Sequence, residues 1–124
     1  MSNKYNKYII SSIVFVALDC FYLYFMKDYF LQQIKEVQGS KLNIRVGGAV
    51  LTYLVLIFGI NYFIIREHRS VSEASLLGAV IYFVYGGTNI ALFDQWRVQT
   101  VLMDGFWGSI LFGLTTAITY RISL

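Results

Sequence analysis

Apolar residues fall into four long runs, Tyr8 to Met26, Val46 to Ile65, Ser72 to Phe93 and Val98 to Tyr120, separated by short polar stretches. Each run is close to the roughly 20 residues that a helix needs to cross a hydrocarbon core. Backbone groups in lipid must be satisfied within a helix or a closed barrel. The pattern therefore predicts an all-α fold, four transmembrane helices in an antiparallel bundle, forming one membrane domain over residues 1–124. Short connections make successive helices antiparallel neighbours, which puts both termini on one side.

The longest connection, residues 27–45, carries Phe30, Leu31, Ile34 and Val37 at three- and four-residue spacing ahead of Gly39, a residue suited to a helix C-terminus. This predicts either a short interfacial amphipathic helix between helices one and two or a prolongation of helix one, with Lys35 and Lys41 at the head groups. Arg66 to Ser70 forms a tight charged turn, and Ser72 is the expected cap of the next helix.

Composition sharpens the class. The chain is 57% hydrophobic and only 14% charged, with a mean hydropathy of +0.60, outside the range of ordinary soluble domains. Its ten Lys and Arg give a net charge of +3 but are scattered over termini and loops, with no stripe that could track phosphates, so nucleic acid is not expected as a partner. The lipid bilayer is. Lys4, Lys7, Arg66, Arg69 and Arg121 on the side of the termini balance Lys27, Lys35, Lys41, Arg45 and Arg97 on the other, so loop cations do not orient the protein. The single cysteine, Cys20, sits in an apolar run and reads as a small buried hydrophobe. His68 lies in a charged loop with no metal-ligand spacing around it, so neither a metal nor another cofactor is expected.

What changes the picture is polarity inside the spans. At about 1.5 Å per residue, Asp19, Thr52 or Tyr53, and Asp104 lie about 9 to 10 Å inside the boundary away from the termini, and Asn89 about 6 Å. Helical phase lines up Tyr8, Ser12, Phe15, Asp19 and Tyr22 on helix one, Ser75, Gly78, Tyr82, Tyr85 and Asn89 on helix three, and Asp104, Trp107, Gly108, Leu111 and Thr115 on helix four. The expected site is a polar pocket in one leaflet made by Asp19, Tyr22, Tyr53, Tyr82, Tyr85, Thr88, Asn89, Asp104 and Trp107. Asp94 and Arg97 read as a solvated pair beside it, Trp96 as an interface anchor, and Asn61 and Tyr62 as head-group contacts. Gly105, Ser109, Gly113 and Ala117 form a small-residue ridge that permits close helix approach, to a neighbour within the chain or to a second copy in a homo-oligomer.

The run Tyr82-x-x-Tyr85-x-x-Thr88-Asn89-x-Ala91, followed by Trp96 and by Asp104-x-x-Trp107-Gly108, together with Asp19, resembles the small four-helix membrane proteins of domain of unknown function family 2177. The resemblance spans nearly the whole chain. It implies a four-span membrane fold and no settled activity; members often carry a tryptophan three residues after the helix-one aspartate, where this chain has Tyr22.

Intramembrane carboxylates are functional by default, and three functions fit them. Asp19 and Asp104 can form a cation or proton site serving binding or translocation. The aromatic residues can line a pocket for a lipid or apolar small molecule, as a binder or as an enzyme relying on carboxylates alone, since the chain lacks any Ser-His-Asp, Cys-His or metal set. Alternatively, the polar groups form an interhelical lock, although such contacts average only about 0.6 kcal/mol.

Overall fold

The computed structural model describes residues 5–40 and 45–123, and Lys4 and Lys41 lie outside the described residues. The described residues form four helices and no strand: α1 (Asn6–Gln38), α2 (Val46–Ile60, continued by a π-helical turn Asn61–Ile65), α3 (Val71–Leu92) and α4 (Val98–Ile122). All four are long and apolar enough to cross a membrane.

Of the two expectations for residues 27–38, the prolongation is the one realised. α1 runs unbroken for 33 residues, so no separate interfacial helix forms, and it stops at Gly39, whose φ of 76° is left-handed and whose N–H donates to the Lys35 carbonyl. Glycine takes that conformation without steric penalty. The cap of α3 is Ser70, not Ser72. Its hydroxyl accepts from the Glu73 N–H at 3.1 Å while the Glu73 carboxylate accepts from the Ser70 N–H at 3.3 Å, a reciprocal capping box. In the turn before it, His68 adopts a φ of 50° and stacks on Tyr120 at 4.1 Å. The Tyr120 hydroxyl donates to the Arg69 carbonyl at 2.6 Å, fastening this turn to the end of α4.

The tightest packing is between antiparallel α3 and α4. A methyl group on Gly78 would strike the Gly108 carbonyl, one on Gly105 would enter the Phe83 ring, and one on Gly113 would meet the Ser75 hydroxyl. The small-residue ridge of α4 is thus met at Gly105 and Gly113 from within the chain, and backbones approach in a way that larger side chains forbid. α1 lies along α4, and α2 rests against α1 while making little contact with α3. Where α1, α2 and α4 meet, on the half of the bundle nearest residues 61–70, Phe15, Ile60, Ile64, Ile65, Leu111 and Phe112 are fully or almost fully buried. The Phe15 and Phe112 rings meet edge to face at 5.4 Å, an arrangement favoured by the ring quadrupoles.

Two features near the ends of the helices depart from expectation. Asn61 turns inward, where its side chain accepts a 2.5 Å hydrogen bond from Ser11 and donates to the Ile57 carbonyl at 2.9 Å, so only Tyr62 remains outward. Cys20 is exposed on the outer face of α1, toward lipid, instead of buried.

Candidate functional site

α1 and α4 carry the same short pattern, an aspartate followed three residues later by an aromatic, and because they run antiparallel the two patterns cross. The Trp107 indole N–H donates to Asp19 Oδ1 at 3.0 Å, and the Tyr22 hydroxyl donates to Asp104 Oδ1 at 3.1 Å. Between them the Tyr22 and Trp107 rings stack at 4.4 Å with planes only 4° apart. Each helix thus supplies one carboxylate and the donor for the other helix's carboxylate. The Tyr53 hydroxyl of α2 donates to Asp19 Oδ2. Charge-assisted hydrogen bonds of this kind are about twice as strong as neutral ones and satisfy carboxylates that water does not reach. Asp19 and Asp104 are only 8% and 9% exposed.

A cleft of about 350 Å³ opens above this layer. Asp19, Tyr22, Phe30 and Ile34 of α1 wall it, with Thr52 of α2, Tyr82 and Tyr85 of α3, Trp96 of the α3–α4 turn, and Asp104 and Trp107 of α4. Thr52, Tyr82 and Tyr85 also line a smaller cleft of about 190 Å³ with Leu56 and Ile81, so residues of α2 and α3 border both hollows.

Among the residues expected here, Asp19, Tyr22, Tyr53, Asp104 and Trp107 join one hydrogen-bonded and stacked cluster, and Tyr82 and Tyr85 border the cleft. Asn89 is buried, but its Nδ2 has no partner. Thr88 does not belong with them: it is exposed and its hydroxyl donates back to the Val84 carbonyl at 2.7 Å. Thr88 and Asn89 are adjacent and so about 100° apart on the helix, which lets only one face inward. Among the described residues no three His, Cys, Asp or Glu side chains gather in a way that could hold a metal ion.

A second polar cluster, outside the residues the sequence points to, lies at the end of α1. Gln33, fully buried on the prolonged part of α1, donates to the Gln95 carbonyl at 3.0 Å and accepts from the Arg97 N–H at 3.1 Å and from the Thr100 hydroxyl at 2.6 Å. It thereby satisfies one of the backbone donors left open at the start of α4. Arg97 pairs with Glu36 at 2.5 Å, not with Asp94, and lies over the Tyr29 ring. Its hydrogen bonds with Glu36 hold the guanidinium above its ordinary pKa. The spacing of Phe30, Ile34 and Val37 was the one sequence signal that α1 reached this far. Trp96, held in the same turn, borders the cleft beyond its expected role as a membrane-surface anchor.

Four helices long and apolar enough to cross a membrane mark a multi-pass integral membrane protein. Residues 5–121 match the family described as predicted membrane protein, domain of unknown function family 2177, and the chain belongs to that family. No curated protein and no solved structure matches it.

Proposed function

We propose that the protein binds a lipid or other apolar small molecule within one leaflet, taking it up laterally between α2 and α3. The observation that carries this reading is a cleft of about 350 Å³ whose walls are mainly aromatic and aliphatic and whose floor is the hydrogen-bonded Asp19–Asp104 layer. That volume lies at the lower end of the roughly 300 to 1,000 Å³ typical of small-molecule sites. A molecule entering there meets apolar surface first and polar groups last.

The closed half of the bundle weighs against the alternative, translocation of a cation or proton. Beyond the carboxylates the interior holds Phe15, Leu111, Phe112 and Ile60, each 0% exposed, beside the buried hydroxyls of Thr115, Thr116 and Thr119, and close-packed apolar side chains of that size narrow any water-filled path. The carboxylate layer serves recognition in this reading. The antiparallel contacts of α1 with α4 support both termini lying on one side of the membrane.

Native mass spectrometry of the protein released from membranes tests the reading. Wild type is expected to carry one apolar adduct, and Thr52→Phe, which fills the mouth from an exposed position, to lose it. Adduct-free wild type, or equal occupancy in the variant, overturns the assignment. Proteoliposomes provide the contrary test: proton or cation flux that disappears in both Asp19→Asn and Asp104→Asn establishes translocation instead.

A further inference from the structure

The two carboxylates under the cleft are not equivalent. Both oxygens of Asp19 are engaged, Oδ1 by Trp107 and Oδ2 by Tyr53. Asp104 is engaged through Oδ1 alone, by Tyr22, and its Oδ2 has no hydrogen-bond partner although the residue is only 9% exposed and borders the cleft. A carboxylate accepts through both oxygens, so Asp104 retains an open acceptor where water is scarce.

The charge around this acceptor is uncompensated. Among the described residues the ion pairs are Arg66–Glu67, Arg69–Glu73 and Arg97–Glu36, and no Lys, Arg or His borders the cleft. What borders it instead is aromatic: the stacked Tyr22 and Trp107, then Tyr82, Tyr85 and Trp96. Aromatic faces attract cations through the ring quadrupole, most strongly where the cation is desolvated. A carboxylate oxygen in a cleft lined by aromatic residues is the chemistry that recognises an ammonium group.

We propose that the cleft's occupant is an amphiphile with a protonated amine head, received by Asp104 Oδ2, while its apolar body lies toward the α2–α3 mouth. Asp19 is a positioning residue: through its bond to Trp107 it fixes the stack against which the head group rests. The inference rests on the cleft being a binding site, and adds the head-group class and the residue that reads it.

Both tryptophans of the chain, Trp96 and Trp107, border the cleft, so intrinsic fluorescence of the protein in nanodiscs reports occupancy. Titrations with octylamine, octanol and octanoate hold the tail constant and vary the head. Octylamine is expected to give a saturable change with an apparent Kd at least about tenfold below that of octanol, the factor that one hydrogen bond to a charged group supplies. Octanoate is expected to give none. Asp104→Asn should erase the amine preference and keep octanol binding, whereas Asp19→Asn, whose amide oxygen still accepts from Trp107, should keep the preference. Equal affinity for octanol and octylamine in wild type overturns the amine assignment without requiring any variant to fold. Loss of the preference in Asp19→Asn as complete as in Asp104→Asn overturns the division between the two carboxylates. If neither octylamine nor octanol binds, the cleft is not a binding site and the inference falls with it.

Discussion

Gly78 offers the sharpest test of how the helices are held. A Cβ placed there lies 2.8 Å from the Gly108 carbonyl carbon and 2.9 Å from Phe112 Cβ. The first obstacle is backbone, which no change of rotamer can move, so Gly78→Ala must push α3 and α4 apart along their tightest interface. Overpacking of this kind costs about 1 to 3 kcal/mol. Replacing glycine by alanine inside a helix returns up to about 1 kcal/mol through propensity. Gly87, about two and a half turns further along the same helix, isolates that gain, because an added Cβ there meets nothing within 4 Å. Gly87→Ala should be neutral or stabilising by up to about 1 kcal/mol, and because both variants share the propensity gain, Gly78→Ala should lie below it by the overpacking cost alone, about 1 to 3 kcal/mol. Reversible unfolding by sodium dodecyl sulfate in mixed micelles, followed by far-UV circular dichroism, measures the difference. Gly105→Ala should fall between them, since its obstacle is the ring of half-buried Phe83, which can swing aside. If Gly78→Ala proves as stable as Gly87→Ala, the close approach of α3 and α4 is wrong.

Two further substitutions examine the polar layers by the same unfolding assay. Trp107→Phe keeps a ring to stack on Tyr22 but removes the 3.0 Å bond to Asp19, and should destabilise by about 1 kcal/mol; an unchanged midpoint would mean that this bond contributes nothing. Gln33→Ala strips the Gln95 carbonyl, the Arg97 N–H and the Thr100 hydroxyl of a buried partner and should cost about 2 to 3 kcal/mol. Glu36→Gln, which weakens a pair about one-third exposed, should have the smaller effect because solvent screens it; the reverse order would contradict the role given to Gln33.

The four spans were legible because lipid imposes a length and a polarity on every crossing helix, and the sequence obeys both. Asp19, Tyr22, Asp104 and Trp107 were legible for a related reason: on straight helices of fixed rise, depth and phase follow from counting residues. Depth alone misplaces a residue whose helical phase points elsewhere. Asn61 lies near the end of α2 and so reads as a head-group contact, yet it falls two turns after Tyr53 on the side that meets α1, where Ser11 binds it. Thr88 shares the polarity of its neighbour Asn89 but not its face, because adjacent helical positions diverge by about 100°. The Gln33, Glu36 and Arg97 cluster is not legible in the sequence because Arg97 lies more than sixty residues from the other two and meets them only if α1 continues past the membrane boundary. Nor does the pattern disclose that Asp19 is fully engaged and Asp104 half open, since that depends on side-chain geometry across three helices.

Photolabelling with a diazirine-bearing alkylamine in native membranes, mapped by peptide mass spectrometry, addresses the cleft most directly. Insertion is expected at Thr52, Tyr82, Tyr85 and Trp96 and should be abolished by excess octylamine. Label that resists competition and spreads over the lipid-facing Leu54, Val55 and Leu76, leaving the cleft residues unmarked, would contradict the claim that this protein holds an amphiphile between α2 and α3.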